Sequence, residues 1–170
     1  LARIPEGRRV NIERETFPAM VAEGTLFGLA DPAYWLDVGT PERLLQANLD
    51  VLDGLRPTVE TDAAETAEID PGADVRLSLL GEHVTVDGTA TVVRSVLSRG
   101  VWIAEGAVVE DALLLPGSSV GPGAAVRRSL MGADAAVQAG ASIGDVTVLG
   151  DGVRVEAGTV LVSARVPDEG

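Results

Sequence analysis

The chain has 170 residues, a formal net charge of −13, 46% hydrophobic and 3% aromatic residues, 20 glycines and no cysteine. The negative charge argues against binding to nucleic acid or to anionic membrane surfaces, and the absence of cysteine excludes disulfides, thiol nucleophiles and thiolate zinc sites. An aliphatic core with many glycines indicates tight turns at regular spacing.

All 13 basic residues are arginine. Without lysine the chain has no Walker-type phosphate loop and no Schiff-base chemistry. No apolar run approaches the ~20 residues of a membrane span, and no secretory signal is visible, so a cytoplasmic location is the default. The chain opens on Leu1, within sequence typical of a folded domain, and we expect it to be the C-terminal fragment of a longer protein.

Residues 1–56 have the pattern of a mixed α/β segment. Asn11 is a predicted cap for a helix that begins near Ile12 and ends at Gly24. The runs "TLFGL" and "YWLDV" are of β type and flank the turn signal "ADPA", which predicts a hairpin. Thr40 and Pro41 then predict the start of a second helix, which ends at Gly54.

Residues 57–68, "PTVETDAAETAE", carry four acids and no base, and show no apolar periodicity. This composition is typical of a solvated linker rather than of an interaction tail. The predicted organisation is therefore an α/β segment at 1–56, an acidic linker at 57–68 and a separate repeat region at 69–170.

The repeat region has a period of about 17 residues. The segments "IDPGAD", "VDGTAT", "IAEGAV", "VGPGAA", "VQAGAS" and "VEAGTV" begin 17 or 18 residues apart, and an aliphatic residue follows six positions after each start. Three segments of about six residues per period predict a coil with three short strands and three corners. Coils stacked about 4.8 Å apart would bury their aliphatic residues inside a prism.

These segments resemble the hexapeptide repeats of left-handed parallel β-helix proteins. The resemblance implies a mainly β fold, a left-handed parallel β-helix preceded by the C-terminal α/β segment of a nucleotidyltransferase domain. "NIERETFPAMVAEGTLFGL" and "YWLDVGTPERLLQANLDVL" are similar to the end of the catalytic domain of sugar-nucleotide pyrophosphorylases, in particular mannose-1-phosphate guanylyltransferases. The family's glycine-rich "GxGTRLxPLT" loop has no match here.

This resemblance implies a role for Asp37. In the family, the aspartate of "W-x-D-[IV]-G" helps to hold the catalytic Mg²⁺ while a sugar 1-phosphate attacks a nucleoside triphosphate, here expected to be GTP. A carboxylate at such a turn suits magnesium, which is often held by one or two carboxylates with substrate phosphates. The alternative is a turn acid, or a charge before the helix that starts after Thr40.

Three further residues are candidates. Arg14 lies near the segment that the family brings toward its sugar pocket, so it is a candidate phosphate contact, with a helix-surface charge as the alternative. Trp102 precedes Ile103 at a coil corner and is a candidate anchor for a homo-oligomer, unless a neighbouring corner buries it. His83 is the only histidine. It is interpreted as a surface or corner residue, although β-helix acyltransferases use a histidine base.

Four functions remain open at this point. The first is the C-terminal part of a mannose-1-phosphate guanylyltransferase, inactive by itself because the nucleotide loop is not in it. The others are a glucose-1-phosphate nucleotidyltransferase, an oligomerisation or interaction module without catalysis, and a hexapeptide-repeat acyltransferase.

Overall fold

A computed structural model describes residues 3–56 and 66–167. The chain divides into two compact units, residues 1–35 and residues 36–170. The predicted linker at 57–68 falls mostly on residues outside those described. Within the described residues, no helix is long and apolar enough to cross a membrane.

Residues 68–167 form a parallel β-helix of six coils, which confirms the predicted fold class. Each coil contributes one strand to each of three six-stranded parallel sheets, so every strand pairs with the strand three positions earlier and three positions later. The register is that of the sequence period, as Val86 pairs with Ile103 and Ile103 with Val120. Each 17-residue repeat of the sequence therefore corresponds to one coil of the β-helix.

The strands are numbered in chain order and are two or three residues long. Sheet A contains β1 (Glu68–Ile69), β4 (Thr85–Val86), β7 (Trp102–Ile103), β10 (Ser119–Val120), β13 (Ala136–Val137) and β16 (Arg154–Val155). Sheet B contains β2 (Asp74–Arg76), β5 (Thr91–Val93), β8 (Val108–Glu110), β11 (Ala125–Arg127), β14 (Ser142–Gly144) and β17 (Val160–Val162). Sheet C contains β3 (Leu79–Leu80), β6 (Val96–Leu97), β9 (Leu113–Leu114), β12 (Leu130–Met131), β15 (Val148–Leu149) and β18 (Arg165–Val166).

The prism interior consists of columns of aliphatic side chains, one column per sheet. In the inner coils these residues are almost fully buried, as in the column Val92, Val109, Val126 and Ile143 of sheet B. The fifth residue of each segment is small and also buried, with Ala90, Ala107, Ala124 and Ala141 as examples. One coil leaves its aliphatic face open, so burial depends on stacking.

Hydroxyl groups reinforce the corner between sheets B and C. The Ser95 hydroxyl donates to the carbonyl of Val93 at 2.9 Å and accepts from the backbone N–H of Ala112, in the next coil, at 3.1 Å. The Ser78 hydroxyl makes the equivalent bond to the N–H of Ser95 at 3.1 Å. Such bonds satisfy backbone groups that a chain turning a corner would leave unpaired.

The unit formed by residues 1–35 contains one short helical segment. Ile12–Thr16 form a π-helical turn that continues into helix α1, Phe17–Ala22. The Asn11 side chain accepts from the N–H groups of Glu13 and Arg14, as its predicted cap role requires. Gly24 follows with φ of +66°, a conformation that glycine adopts without strain.

The predicted hairpin at 25–38 is wrong. "TLFGL" and "YWLDV" form no strand and do not pair with each other. Phe27, Leu29 and Trp35 are 89%, 95% and 81% exposed. A strand needs a neighbour to satisfy its N–H and C=O groups, and the described residues supply none to either run. The described residues 25–38 therefore contain no strand.

Helix α2, Pro41–Leu52, packs against the outer face of sheet C. The predicted start is confirmed, since the Thr40 hydroxyl accepts from the N–H of Arg43 at 3.3 Å and Pro41 is the first helical residue. Leu45 and Leu49 form a small core with Leu113 and Leu130, all of them buried. This second core lies outside the prism and joins α2 to it.

Candidate functional site

Asp37 lies in the loop that leads into helix α2. Its Oδ1 accepts from the N–H of Gly39 at 3.0 Å, which closes a two-residue turn and fixes the direction of the carboxylate. The residue is exposed, and Oδ2 has no protein partner within the described residues. One carboxylate oxygen is therefore held by the backbone and the other is open to a ligand.

Gly39 leaves the space that this turn requires. A Cβ at position 39 would lie 3.2 Å from Asp37 Oδ1, closer than side-chain contacts normally come. Because the φ of Gly39 is not in the left-handed region, a side chain here would crowd only the Asp37 carboxylate, which would have to shift by a few tenths of an ångström.

Two ion pairs hold helix α2 at its ends. Near its start, Arg165 Nη2 donates to Glu42 Oε1 at 3.0 Å. Just past its end, Arg94 Nη1 donates to Asp53 Oδ2 at 2.8 Å. Arg94 belongs to the second coil and Arg165 to the sixth, so four inter-coil spacings, or about 19 Å, separate them. This distance matches the ~18 Å length of the 12-residue helix. The segment that carries Asp37 is thus tied to the prism.

The Arg94 pair extends to a second carboxylate. Arg94 Nε donates to Asp111 Oδ1 at 2.6 Å, in the next coil. Hydrogen bonding to Asp111, together with the charges of Asp111 and Asp53, raises the pKa of Arg94 above its usual value. The guanidinium bridges two carboxylates, one on the helix side and one on the prism.

An apolar cavity of about 400 Å³ lies between the start of α2 and sheet C. Val38, Gly39, Thr40, Pro41 and Leu44 line one wall. The opposite wall belongs to the prism and consists of Leu113, Leu115, Leu130, Met131, Gly132, Val148, Leu149 and Asp151. Asp37 does not line this cavity, although its neighbour Val38 does.

The residues present fit only part of a magnesium site. Within residues 3–56 and 66–167, no group of three or more Asp, Glu or His side chains could hold a metal ion. Asp37 offers one free carboxylate oxygen, and magnesium often takes only one or two protein carboxylates beside water and substrate phosphates. The donor type therefore fits, with Asp37 as one protein ligand of such an ion.

Arg14 lies in the π-helical turn of the first unit and is exposed. Its backbone N–H belongs to the Asn11 cap, and within the described residues its guanidinium makes no ion pair. Arg8 bonds to Glu15 on the same segment, and this bond lowers the pKa of the Glu15 carboxyl. The side chain of Arg14 is thus available to a ligand.

Trp102 lies on the outer face of sheet A and is 43% exposed. Its indole N–H donates to Asp87 Oδ2 at 2.9 Å, which fixes the ring against the neighbouring coil. Helix α2 covers sheet C instead. The structure therefore places Trp102 on a different face of the prism from the segment that carries Asp37.

His83 lies at a corner of the prism, as the sequence predicts. It is exposed, has φ of +55°, and its backbone N–H donates to the Thr66 hydroxyl at 3.1 Å. No described pocket is lined by His83.

The sequence interpretation missed the docking of α2, although a signal for it exists. In sheet C the residue before each inward-facing residue is also aliphatic. These residues form one outward-facing column, Val96, Leu113, Leu130 and Val148. Strands exposed on one face alternate apolar and polar residues, so two adjacent apolar residues indicate that both faces are covered.

A family model for the GMPPB C-terminal domain matches residues 78–168. Mannose-1-phosphate guanylyltransferase of Mycobacterium tuberculosis is 45% identical over 58 residues, which are 33% of this chain and 16% of that protein. The catalytic subunit beta of the same enzyme from Xenopus tropicalis is 39% identical over 49 residues, 29% of this chain and 14% of that protein. The chain thus matches about a sixth of the length of these relatives.

Solved structures of similar fold are also found. A mutant of perosamine N-acetyltransferase from Caulobacter crescentus, in complex with CoA and GDP-perosamine, is 23% identical with a TM-score of 0.44. The match covers 59% of this chain and 49% of that one. A TM-score below 0.5 carries no argument for acetyl transfer.

Proposed function

Because this chain belongs to the family of the GMPPB C-terminal domain, we propose that it is the C-terminal part of a mannose-1-phosphate guanylyltransferase. The observation that carries this proposal is the family match over residues 78–168, supported by 45% identity to the mycobacterial enzyme. The complete protein would convert GTP and mannose 1-phosphate to GDP-mannose and pyrophosphate, in keeping with a cytoplasmic location.

In this reaction a phosphate oxygen of mannose 1-phosphate attacks the α-phosphorus of GTP, and pyrophosphate leaves. Magnesium would neutralise phosphate charge when bound. We assign one ligand position to Asp37, whose Oδ2 is open while Oδ1 is held by Gly39 N–H. We assign Arg14, whose guanidinium is free of acidic partners among the described residues, to a substrate phosphate.

The proposed organisation assigns residues 1–56 to the end of the catalytic domain, 57–68 to a linker and 69–170 to the β-helix. The docking of α2 on sheet C supports a structural role for the β-helix, since it ties the loop of Asp37 to the prism. The chain of residues 1–170 by itself is expected to be inactive. Guanylyl transfer by purified 1–170 would contradict this.

The test is a pair of substitutions in the complete protein. Asp37→Asn should lower the rate of GDP-mannose formation by about a hundredfold or more, because a neutral amide is a poor magnesium ligand. Asp31→Asn is the matched control, since Asp31 is also exposed and its Oδ1 accepts from the N–H of Ala33 at 2.8 Å. Wild-type activity in Asp37→Asn would refute the metal role.

The specificity for sugar and nucleotide is tested with the same complete protein. Comparison of mannose 1-phosphate with glucose 1-phosphate, and of GTP with other nucleoside triphosphates, separates the proposed enzyme from a glucose-1-phosphate nucleotidyltransferase. The proposal requires the highest kcat/KM with GTP and mannose 1-phosphate.

A second candidate function is assembly through the β-helix, favoured by the exposed Trp102 on sheet A. An exposed indole is a frequent anchor of protein interfaces. We expect homo-oligomers that Trp102→Ala weakens and that Thr85→Ala, on the same face, does not. Light scattering that shows a monomer at micromolar concentration would refute this role.

A further inference from the structure

A second cavity of about 410 Å³ lies between helix α2 and the corner of sheets B and C. Its lining contains three arginines, Arg43 from the helix and Arg94 and Arg128 from the corner. Among the described residues, two acids line it, Glu42 and Asp111. A cavity with a surplus of positive charge is unexpected in a chain whose formal net charge is −13.

Both acids that line the cavity form ion pairs with arginines other than Arg43 and Arg128. Glu42 accepts from Arg165 at 3.0 Å, and Asp111 accepts from Arg94 at 2.6 Å. Arg94 is further engaged by Asp53 at 2.8 Å. These pairs account for the two acids that line the cavity among the described residues.

Arg43 and Arg128 are left without acidic partners. Within residues 3–56 and 66–167, neither guanidinium takes part in an ion pair or a side-chain hydrogen bond. The two residues come from different elements, one from helix α2 and the other from the turn after β11. They thus present two unpaired cations to one cavity from opposite sides.

The backbone of Arg128 is also unusual. Its φ of +43° lies in the left-handed region, in a column with Arg94 (+47°) and Asp111 (+51°). Successive coils therefore set Arg94, Asp111 and Arg128 one above another, about 4.8 Å apart. Asp145 (+50°) follows Arg128 in the same column, but Asp111 bonds to Arg94 and the described residues form no ion pair between Asp145 and Arg128.

We propose that this cavity binds a phosphoryl anion between Arg43 and Arg128. Guanidinium forks suit phosphate, whose tetrahedral oxygens can accept from two directions at once, whereas the two oxygens of a carboxylate lie in one plane. A phosphate group carries a charge of about −1.5 to −2 near neutral pH, which balances two cations. The site is distinct from Asp37 and does not depend on the transferase reaction.

The cavity has room for an organic phosphate. Its volume falls in the range of about 300–1,000 Å³ that is typical of small-molecule sites. Leu45, Leu49 and Val146 supply an apolar wall beside the arginines. A bound anion would bridge α2 to the prism between the two ion pairs that hold the helix, so we expect it to stabilise this docking.

The test is calorimetric titration of the chain 1–170 with inorganic phosphate, pyrophosphate, mannose 1-phosphate and GDP, with acetate as the carboxylate probe. We expect saturable binding of at least one phosphate probe, weakened about tenfold or more by Arg43→Gln and by Arg128→Gln. Arg128→Lys, which keeps the positive charge and loses the paired N–H donors of the guanidinium, should weaken phosphate binding as well. Tighter binding of GDP or mannose 1-phosphate than of inorganic phosphate would identify an organic ligand, and equal affinity a free phosphate.

The matched control is Arg154→Gln, which removes an exposed arginine of sheet A that forms no ion pair with the residues the structure describes. It should leave binding unchanged, and circular dichroism should show all variants folded. Absence of saturable binding by every phosphate probe would overturn the proposal. An equal loss in Arg154→Gln, or acetate affinity equal to that of phosphate, would also overturn it, since either would indicate unspecific attraction of anions.

Discussion

Glu42 and Arg165 are 123 positions apart in the chain, and their side chains are joined by a 3.0 Å hydrogen bond. The pair connects the first turn of α2 to the last coil of the β-helix. It thereby ties the start of the helix that follows Asp37 to the far end of the β-helix.

Loss of this pair should loosen the start of α2 more than the whole domain. In Glu42→Gln and Arg165→Gln we expect faster hydrogen exchange at the amides of the first helical turns, because the helix end loses its ionic contact with the prism. The melting temperature should hardly change, since exposed ion pairs contribute little. Glu156→Gln, an exposed acid without an ion pair, is the control. Unchanged exchange in both variants would show that the pair does not hold the helix.

The Glu42 carboxylate should make the start of α2 sensitive to acid. Hydrogen bonds from its own backbone N–H and from the Thr40 hydroxyl, with a smaller contribution from the Arg165 charge, lower the pKa of Glu42 below the ordinary value of 4.5. A lowered folded-state pKa contributes stability that is present above pH 4.5 and is lost as the pH falls through the folded-state pKa. Protection of the first helical turns against hydrogen exchange should differ between the wild type and Glu42→Gln above pH 4.5 and converge below it. A difference that grows toward acid would contradict this sign.

The core between α2 and sheet C should be sensitive to truncation. Leu113→Ala should cost about 2–5 kcal/mol of unfolding free energy, because Leu113 is buried against Leu45 and Leu49. Leu79 occupies the equivalent position in the first coil and is 39% exposed, so Leu79→Ala should cost about 1 kcal/mol or less. Urea unfolding measures both. Equal losses would mean that the helix adds nothing to the burial of sheet C.

Ser118 offers a stabilising substitution. Its hydroxyl is fully buried and has no hydrogen-bond partner among the residues that the structure describes, and it occupies the column of Val84 and Val101. Ser118→Ala should raise the unfolding free energy by about 1 kcal/mol, since an unsatisfied buried hydroxyl is costly. Ser129→Ala should lower it, because that hydroxyl donates to the Arg127 carbonyl at 2.7 Å. A decrease in both variants would point to a missing partner for Ser118.

Gly132 should not tolerate a side chain. A Cβ there would lie 2.5 Å from the carbonyl carbon of Gly150 and 2.6 Å from the N of Asp151, in the next coil. Gly132→Ala should therefore cost about 1–3 kcal/mol, as overpacking usually does. Gly144→Ala is the control, since its Cβ would meet only the Arg127 carbonyl oxygen at 3.8 Å. Thermal melting compares the two variants. A melting temperature of Gly132→Ala equal to that of the wild type would imply that the coils can separate locally.

Much of the β-helix could be predicted from spacing because its contacts repeat. An aliphatic residue every 17 positions lies above its counterpart, so Val109 contacts Val92 and Val126 without further information. The caps of both helices are equally local, since the Asn11 and Thr40 side chains reach N–H groups only two or three residues away. The metal role of Asp37 rests on the family resemblance and stays a prediction, whereas its turn with Gly39 is as local as the helix caps.

The sequence by itself determined the coils, their register and the helix starts, because each depends on neighbours at a short or fixed separation. The tertiary structure alone decided where α2 lies, and with it the small core around Leu113 and the ion pairs of Glu42 and Asp53. The amphipathic pattern of α2 predicts only that one face is buried. Because the hydrophobic effect is non-directional, the pattern does not predict which surface that face packs against. The failed hairpin has the same cause, since β propensity in "TLFGL" and "YWLDV" does not provide the second strand that would satisfy its hydrogen bonds.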